Sequence, residues 1–436
     1  MNLLNQVPDN WIRTSVGKFC DVQLGKMLQN DPLSDRDQTK PYLRAINVGK
    51  TGLDLTHEFS MWIRPQEADR FRLRRGDILV SEGGDAGRTV IFNTDSEYYF
   101  QNAINRIRPD YYGRIESDFI YYWFTFLKAV GYVEMICNVA TIPHFTAEKV
   151  KAAPLALPPL PTQRRIAQFL DEKTARIDAL IEKKRELLDR LAEKRQALIT
   201  RAVTKGLDSD VQREDCRFAE GVDGMSFKTD EDLLQRLKQV FSSCRNGAWG
   251  EEANGETDVV VIRAADFDGK LGRLNRGERT FRSVAPETYE KLALRRGDII
   301  LEKSGGGEKQ LVGRAALYDD CKPSITSNFL ARCRPAPDVE PNFVNYLLLA
   351  IYNGRGTFPH LKQSTGIQNL DLASFLDIQV RIPPLHTQRR IAQFLDEKTA
   401  QIDEAESKIL SSVDLLFEYR ATLITSAVTG QLTELL

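Results

Sequence analysis

Two stretches of the chain set apolar and charged positions at helical spacing over far more residues than a globular helix usually spans. Apolar residues recur at Ile166, Leu170, Ile177, Leu180, Leu187, Leu191 and Leu198, and again at Ile391, Leu395, Ile402, Ile409, Leu416 and Leu423. The second series keeps a seven-residue step from Ile402 to Leu423, the seam of a coiled coil. Prolines precede both stretches (Pro158, Pro159, Pro161; Pro383, Pro384), and Thr162 or Thr387 is placed to cap a first turn. No proline or glycine then follows until Gly206 and Gly430. The pattern predicts two helices on the order of 60 Å long. Each carries a one-sided stripe, and an antiparallel pair would bury both.

The two stretches are copies. TQRRIAQFLDEKTA occupies Thr162–Ala175 and Thr387–Ala400, and the offset 387 − 162 = 225 also aligns Pro158-Pro159-Leu160 with Pro383-Pro384-Leu385. Charged positions recur with the apolar ones, although a solvated face tolerates many alternatives. Arg164, Arg165, Asp171 and Glu172, with Arg389, Arg390, Asp396 and Glu397, are therefore candidate contacts to two copies of one partner.

The intervening segments repeat more faintly. YLRAINVGKTG (Tyr42 to Gly52) resembles VIRAADFDGKLG (Val261 to Gly272), and LRRGDIL (Leu73 to Leu79) resembles LRRGDII (Leu294 to Ile300). FQNAINRIRPD (Phe100 to Asp110) resembles TSNFLARCRPAPD (Thr326 to Asp338), and an apolar helix candidate follows each time. Short strands, glycine-rich turns and one or two helices predict α+β modules round a small twisted sheet. The order is ABAB, with globular segments at 1–157 and 208–382 and helical ones at 158–207 and 383–436.

A chain of 436 residues with 42% hydrophobic and 28% charged residues has an ordinary multidomain composition. The N-terminus has no signal-peptide pattern, and Phe119 to Ile136, the most apolar run, is interrupted by Lys128 and Glu134, so a buried helix is expected there instead of a membrane span. Six cysteines without a CxxC pair point to a reducing cytoplasm and no structural zinc. No metal or cofactor is expected.

Catalytic patterns are missing. KSGGGEKQ (Lys303 to Gln310) lacks phosphate-loop spacing, Asp298 with Glu302-Lys303 lacks the one-residue gap of a metal nuclease, and no GxSxG, HExxH or adenine-methyltransferase motif occurs. Binding is the better use of these loops. Arginine, asparagine and glutamine make bidentate contacts to bases and phosphates, and glycine lets backbone amides approach a phosphate. Candidates in the first module are Arg44, Asn47, Arg74, Arg75, Gly83, Gly84, Arg88, Gln101, Asn102 and Arg106. In the second they are Arg263, Arg295, Arg296, Lys303, Gly305, Gly306, Lys309, Arg314 and Asn328. A net charge of −1 requires local basic patches for such a role.

The ABAB chain resembles the specificity (S, HsdS) subunits of type I restriction-modification systems. PLALPPLPTQRRIAQFLDEKTARID, its twin QVRIPPLHTQRRIAQFLDEKTAQID, and the RRGDIL and RRGDII strands carry the resemblance. The typical Pro-Glu-Gln before the helix is here Pro161-Thr162-Gln163 and His386-Thr387-Gln388. The resemblance implies two pseudo-twofold-related target-recognition domains separated by two long helices that form an antiparallel coiled coil. It also implies a cytoplasmic, non-catalytic subunit that reads a bipartite site in double-stranded DNA and docks two methyltransferase (modification) subunits. Restriction (translocase) subunits join the complexes that include them. Two other readings stay open: a coiled-coil adaptor that binds proteins, and a nuclease of unrecognised type.

Overall fold

The computed structural model describes residues 3–49, 52–109, 113–137, 144–207, 233–268, 271–305, 310–364 and 367–436. Two compact units are present, Met1–Arg185 with Leu410–Leu436, and Glu186–Ile409.

In the first unit the apolar run that follows RRGD becomes strand Ile78–Ser81, buried on both faces. It lies in a four-stranded antiparallel sheet in the order Cys20–Leu24, Ile104–Pro109, Ile78–Ser81, Thr89–Ile91. Alternation sends its side chains two ways. Ile78 and Val80 meet the helix Ser117–Ala129 through Phe119 and Trp123, while Leu79 meets Leu43, Tyr99 and Phe100 of a second sheet. That second sheet has three strands, Phe59–Ile63, Gln38–Leu43 and Tyr99–Phe100, the last pair running parallel. A second sheet thus packs on one side of the module's central strand and a helix on the other, where the sequence suggested one small sheet. The apolar run at Phe119 to Ile136 is the core helix Ser117–Ala129 followed by a short one at Tyr132–Ile136. Among the described residues no helix is long and apolar enough to cross a membrane.

The second unit repeats this plan. Its four-stranded sheet runs Phe241–Asn246, Leu330–Pro335, Ile299–Glu302, Ala315–Leu317, and its three-stranded sheet Thr280–Ser283, Asp258–Ile262, Ser324–Thr326. Ile299 and Leu301 face the helix Pro341–Asn353, and Ile300 faces the second sheet. A further three-stranded sheet, Ser304–Gly305, Ile367–Leu370, Leu361–Ser364, is added.

The long helices are Leu160–Lys205 and Leu385–Val428, 46 and 44 residues, or about 69 and 66 Å. Both start three residues earlier than caps at Thr162 and Thr387 would place them. The helix accommodates Pro161 because a first-turn proline lacks only an amide with no intrahelical partner. Thr162 instead accepts from Arg165, and Gly206 and Gly430, at φ +70° and +73°, follow the C-terminal ends.

Within the first unit, Ile166 and Leu170 share a core with Ile424, Ala427 and Val428, and further along Ile177 and Ile181 meet Val413. Advancing on one helix means retreating on the other, so the segments are antiparallel. In the second unit Ile199, Ala202 and Val203 join Ile391, Ala392 and Leu395, while Arg195 bonds Asp403 (2.6 Å) and Glu406 (3.1 Å), the same antiparallel sense. Leu180 and Leu187, which the sequence places in the apolar stripe, are both 45% exposed. The buried stripe passes through Ile177 and Ile181, a four-residue step that turns Leu180 and Leu187 outward.

Candidate nucleic-acid interface

The repeated Arg-Gly-Asp turns are clasps. The backbone N–H of Arg74 donates to Asp77 (2.7 Å), and the Arg108 guanidinium grips both oxygens of the same carboxylate (2.6 and 2.7 Å). Arg295, Asp298 and Arg334 repeat this at 2.7, 2.8 and 2.8 Å. The pairing with Asp298 holds Arg334 more strongly protonated than a free arginine. Asp77 and Asp298 are buried, so their charge is spent on folding and is not free for chemistry. Arg106 is buried too; it pairs with Asp21 and donates to the Arg70 carbonyl at 3.1 Å. The register-equivalent Arg332 donates to the carbonyls of Lys291 (3.1 Å) and Ala293 (2.9 Å).

The candidate residues divide between the two ends of one strand. Arg74 and Arg75 precede Ile78–Ser81 and Gly83 and Gly84 follow it, about 13 Å along. The same holds for Arg295 and Arg296 against Lys303 and Gly305. The turn end lies beside the start of the module helix, since a Cβ on Gly76 would sit 3.3 Å from Ser117 and one on Gly297 3.4 Å from Pro341. All four of these arginines are exposed, Arg75 pairing with Asp95 at 3.2 Å. Arg296 lines a polar cleft of about 760 Å³ that also includes Asn342 and Asp396.

The far end gathers most of the others, and several turn inward. Asn47 is fully buried; it accepts from the Arg44 N–H (2.8 Å) and donates to the carbonyls of Asp54 (2.8 Å) and His57 (3.1 Å). Asp266 holds Arg263 in the same way at 2.7 Å. Arg88 reaches the Ala45 carbonyl at 3.4 Å, and its counterpart Arg314 reaches that of Ala264 at 3.2 Å while bonding Glu302 at 2.8 and 3.0 Å. Asn47, Arg88, Arg106 and Arg314 are thus braces turned into the fold. Arg44 is exposed, its guanidinium 4.8 Å over the Phe59 ring; Gly84 is exposed at φ +68° with open space beside it; Gly83, Gln101 and Asn102 are half-buried. In the second unit Arg263 and Lys303 are half-buried, Asn328 is exposed, and Gly305 is paired with Gln368. Burial holds the Lys303 ammonium below the usual lysine range. Gly306 and Lys309 lie outside the described residues. Among the described residues no three His, Cys, Asp or Glu side chains gather as a metal site.

The duplicated helix starts have intrachain work. Gln163 is buried and accepts from the Glu116 N–H at 2.9 Å while donating to the Pro158 carbonyl at 2.9 Å; Gln388 does the same with Glu340 and Pro383 at 2.9 and 2.8 Å. The Tyr122 hydroxyl donates to Asp171, and that of Tyr346 to Asp396. Arg164 pairs with Glu116 (3.2 Å) and Arg389 with Glu340 (3.6 Å), each arginine remaining 66% exposed. Arg165, Glu172, Arg390 and Glu397 are exposed; Glu172 pairs with Arg176, and Glu397 accepts from Gln393. Much of the repeat therefore joins each long helix to its own module. The tyrosines, Arg108 and Arg334 were missed in the sequence, although R-x-R-P occurs in both segments.

Comparison with known proteins agrees with this duplicated plan. The family described as "Type I restriction modification DNA specificity domain" matches residues 8–190 and again 234–414. The specificity subunit of the EcoBI type I restriction enzyme of Escherichia coli is 20% identical over 99% of this chain and 88% of its own length. That of StySPI from Salmonella potsdam is 30% identical over 31% of this chain and 29% of its own length. In fold, a solved chain from a type I R-M system covers 98% of this chain and 99% of its own, at 17% identity and a TM-score of 0.65. The HsdS subunit of Thermoanaerobacter tengcongensis covers 98% of each chain, at 16% identity and a TM-score of 0.52. The chain belongs to the type I restriction-modification DNA specificity family, and it carries that family's domain twice.

Proposed function

We propose that the protein is the non-catalytic subunit that reads a bipartite, asymmetric site in double-stranded DNA for a type I restriction-modification complex. Residues 1–157 and 208–382 act as its recognition domains, and 158–207 and 383–436 as helical spacers. The observation that carries this reading is the far-end loop cluster of each unit. Its braces recur, Asn47 with Asp266 and Arg88 with Arg314, as do Arg44 with Arg263 and Asn102 with Asn328, while other outward positions differ, Met27 standing where Trp249 does and Ile46 where Ala265 does. A kept scaffold with changed outward side chains suits two modules that read different sequences. Arg44, Gly83, Gly84, Gln101 and Asn102 in one module, and Arg263, Lys303, Gly305 and Asn328 in the other, are the contacts to DNA in this reading. Two methyltransferase subunits dock on the exposed charges of the helix repeats, and a near-neutral chain can bind DNA if these partners supply much of the phosphate contact. The test is to assemble the full chain with its methyltransferase and select bound duplexes from a random library. A bipartite consensus with unlike halves is expected, and an absence of sequence preference contradicts the reading.

A further inference from the structure

The far end of the second unit carries an open cleft of about 430 Å³ with an almost wholly apolar lining. Its walls include Trp249, Phe329 and Ile367, which remain 38%, 49% and 52% exposed. Three large apolar side chains gathered at one surface cleft call for an occupant. Two arginines edge it: Arg263, in the wall, and Arg282, whose guanidinium lies 5.0 Å over the Trp249 ring. Asp266, the acid 3.7 Å from Arg263, is itself buried, so its charge is withdrawn from the surface. An apolar seat edged by arginines complements a groove of polyanionic DNA better than it does an uncharged ligand.

The position is built twice. Gly247 N–H donates to Leu330 and Ala248 N–H to Thr326, as Gly25 N–H does to Ile104 and Lys26 N–H to Phe100. These matched pairings put Trp249 where the first unit has Met27, which is 75% exposed, and Ala265 corresponds to Ile46, which is 53% exposed. Both crossings require glycine: a Cβ would lie 2.0 Å from the Thr326 carbonyl oxygen at Gly247 and 2.2 Å from that of Gln101 at Gly25. One tightly fixed crossing thus presents an apolar side chain of different shape in each module.

We infer that the Trp249–Phe329–Ile367 cleft seats the 5-methyl face of a thymine in the half-site of the second domain, with Arg263 and Arg282 holding the adjoining backbone. That methyl is the apolar group a base pair offers in the major groove. The inference rests on the DNA-reading function proposed above and adds which base feature is read and by which residues.

The test uses the full chain assembled with its methyltransferase. The second domain's half-site is the half of the selected consensus that stays unchanged when residues 1–157 are exchanged. Each thymine of that half-site is then replaced singly by uracil, which removes only the methyl. One position is expected to weaken binding about four-fold, the value of one buried methyl, and the penalty should vanish in Trp249→Ala and in Phe329→Ala. Uracil tolerated at every thymine, a half-site without thymine, or an equal penalty in both variants overturns the methyl seat while leaving DNA reading intact. Failure to select any sequence removes the DNA reading itself and this inference with it.

Discussion

The phenol of Tyr122 donates a 2.7 Å hydrogen bond to Asp171, and Tyr346 repeats it with Asp396 at 2.8 Å. Each bond ties a module helix to the long helix that follows it in sequence. Burial pushes the Tyr346 phenol from 10 up to about 12, and the bond to Asp396 adds to the shift. The folded state therefore holds this proton more tightly than the unfolded chain does. Its contribution to stability is complete below pH 10 and is lost as the pH rises through about 12. Tyr346→Phe should cost about 1.5–3 kcal/mol at neutral pH and flatten the fall in stability across that alkaline window. Denaturant titrations of both proteins at a series of pH values measure this, and parallel pH profiles would count against it.

The carboxylates of Asp77 and Asp298 each gather a backbone N–H and a two-pronged arginine. Removing one partner of a buried pair strands the other, so Asp77→Ala should destabilise by about 3–5 kcal/mol. The loss should concentrate in the first unit, and Asp298→Ala should strike the second. Hydrogen exchange over Ile104–Pro109 and Leu330–Pro335 reports each separately. Equal effects of either substitution on both strands would show that the clasps are not local.

Arg44 and Arg263 belong to the far-end cluster, whereas Arg74 and Arg75 lie at the other end of strand Ile78–Ser81. Arg44→Ala and Arg263→Ala should each weaken DNA binding and, where a phosphate contact is lost, lower the salt slope by about 0.9. The double substitution Arg74→Ala with Arg75→Ala should leave both nearly unchanged. Binding titrations over a range of salt concentration decide the matter, and a larger loss from the Arg74 and Arg75 pair would place the DNA at the opposite end.

The long helices and the duplication were legible because both are local signals: a 3.6-residue stripe needs no tertiary knowledge, and a copied segment is visible on sight. The side-chain list was less legible because an arginine that braces a turn and one that faces solvent look alike in sequence. Arg106 and Arg314 are consumed by Asp21 and Glu302, and Asn47 by three backbone groups, none of them marked by spacing. Strand geometry alone separates Arg74 from Gly83, since a four-residue strand lies between them. The kept charges of the helix repeat suggested outside partners, yet Asp171 and Asp396 have tyrosine donors within the chain. Trp249, Phe329 and Ile367 are far apart in sequence and converge through tertiary pairing.

Helix Leu160–Lys205 runs without a break through Glu182–Gln196. If the helices set the distance between half-sites, deleting four residues there shortens the spacing by about 6 Å. Methylome sequencing should then report an unread spacer shorter by roughly one to two base pairs, taking about 3.4 Å per pair. An active complex with an unchanged spacer would exclude the helices as the ruler.

In the proposed function each domain reads its own half of one DNA site. Exchanging residues 1–157 for the equivalent segment of another family member, and mapping the methylated bases made by the assembled complex, tests it most directly. One half of the bipartite sequence should change while the other half is retained. A change in both halves, or in neither, would contradict it.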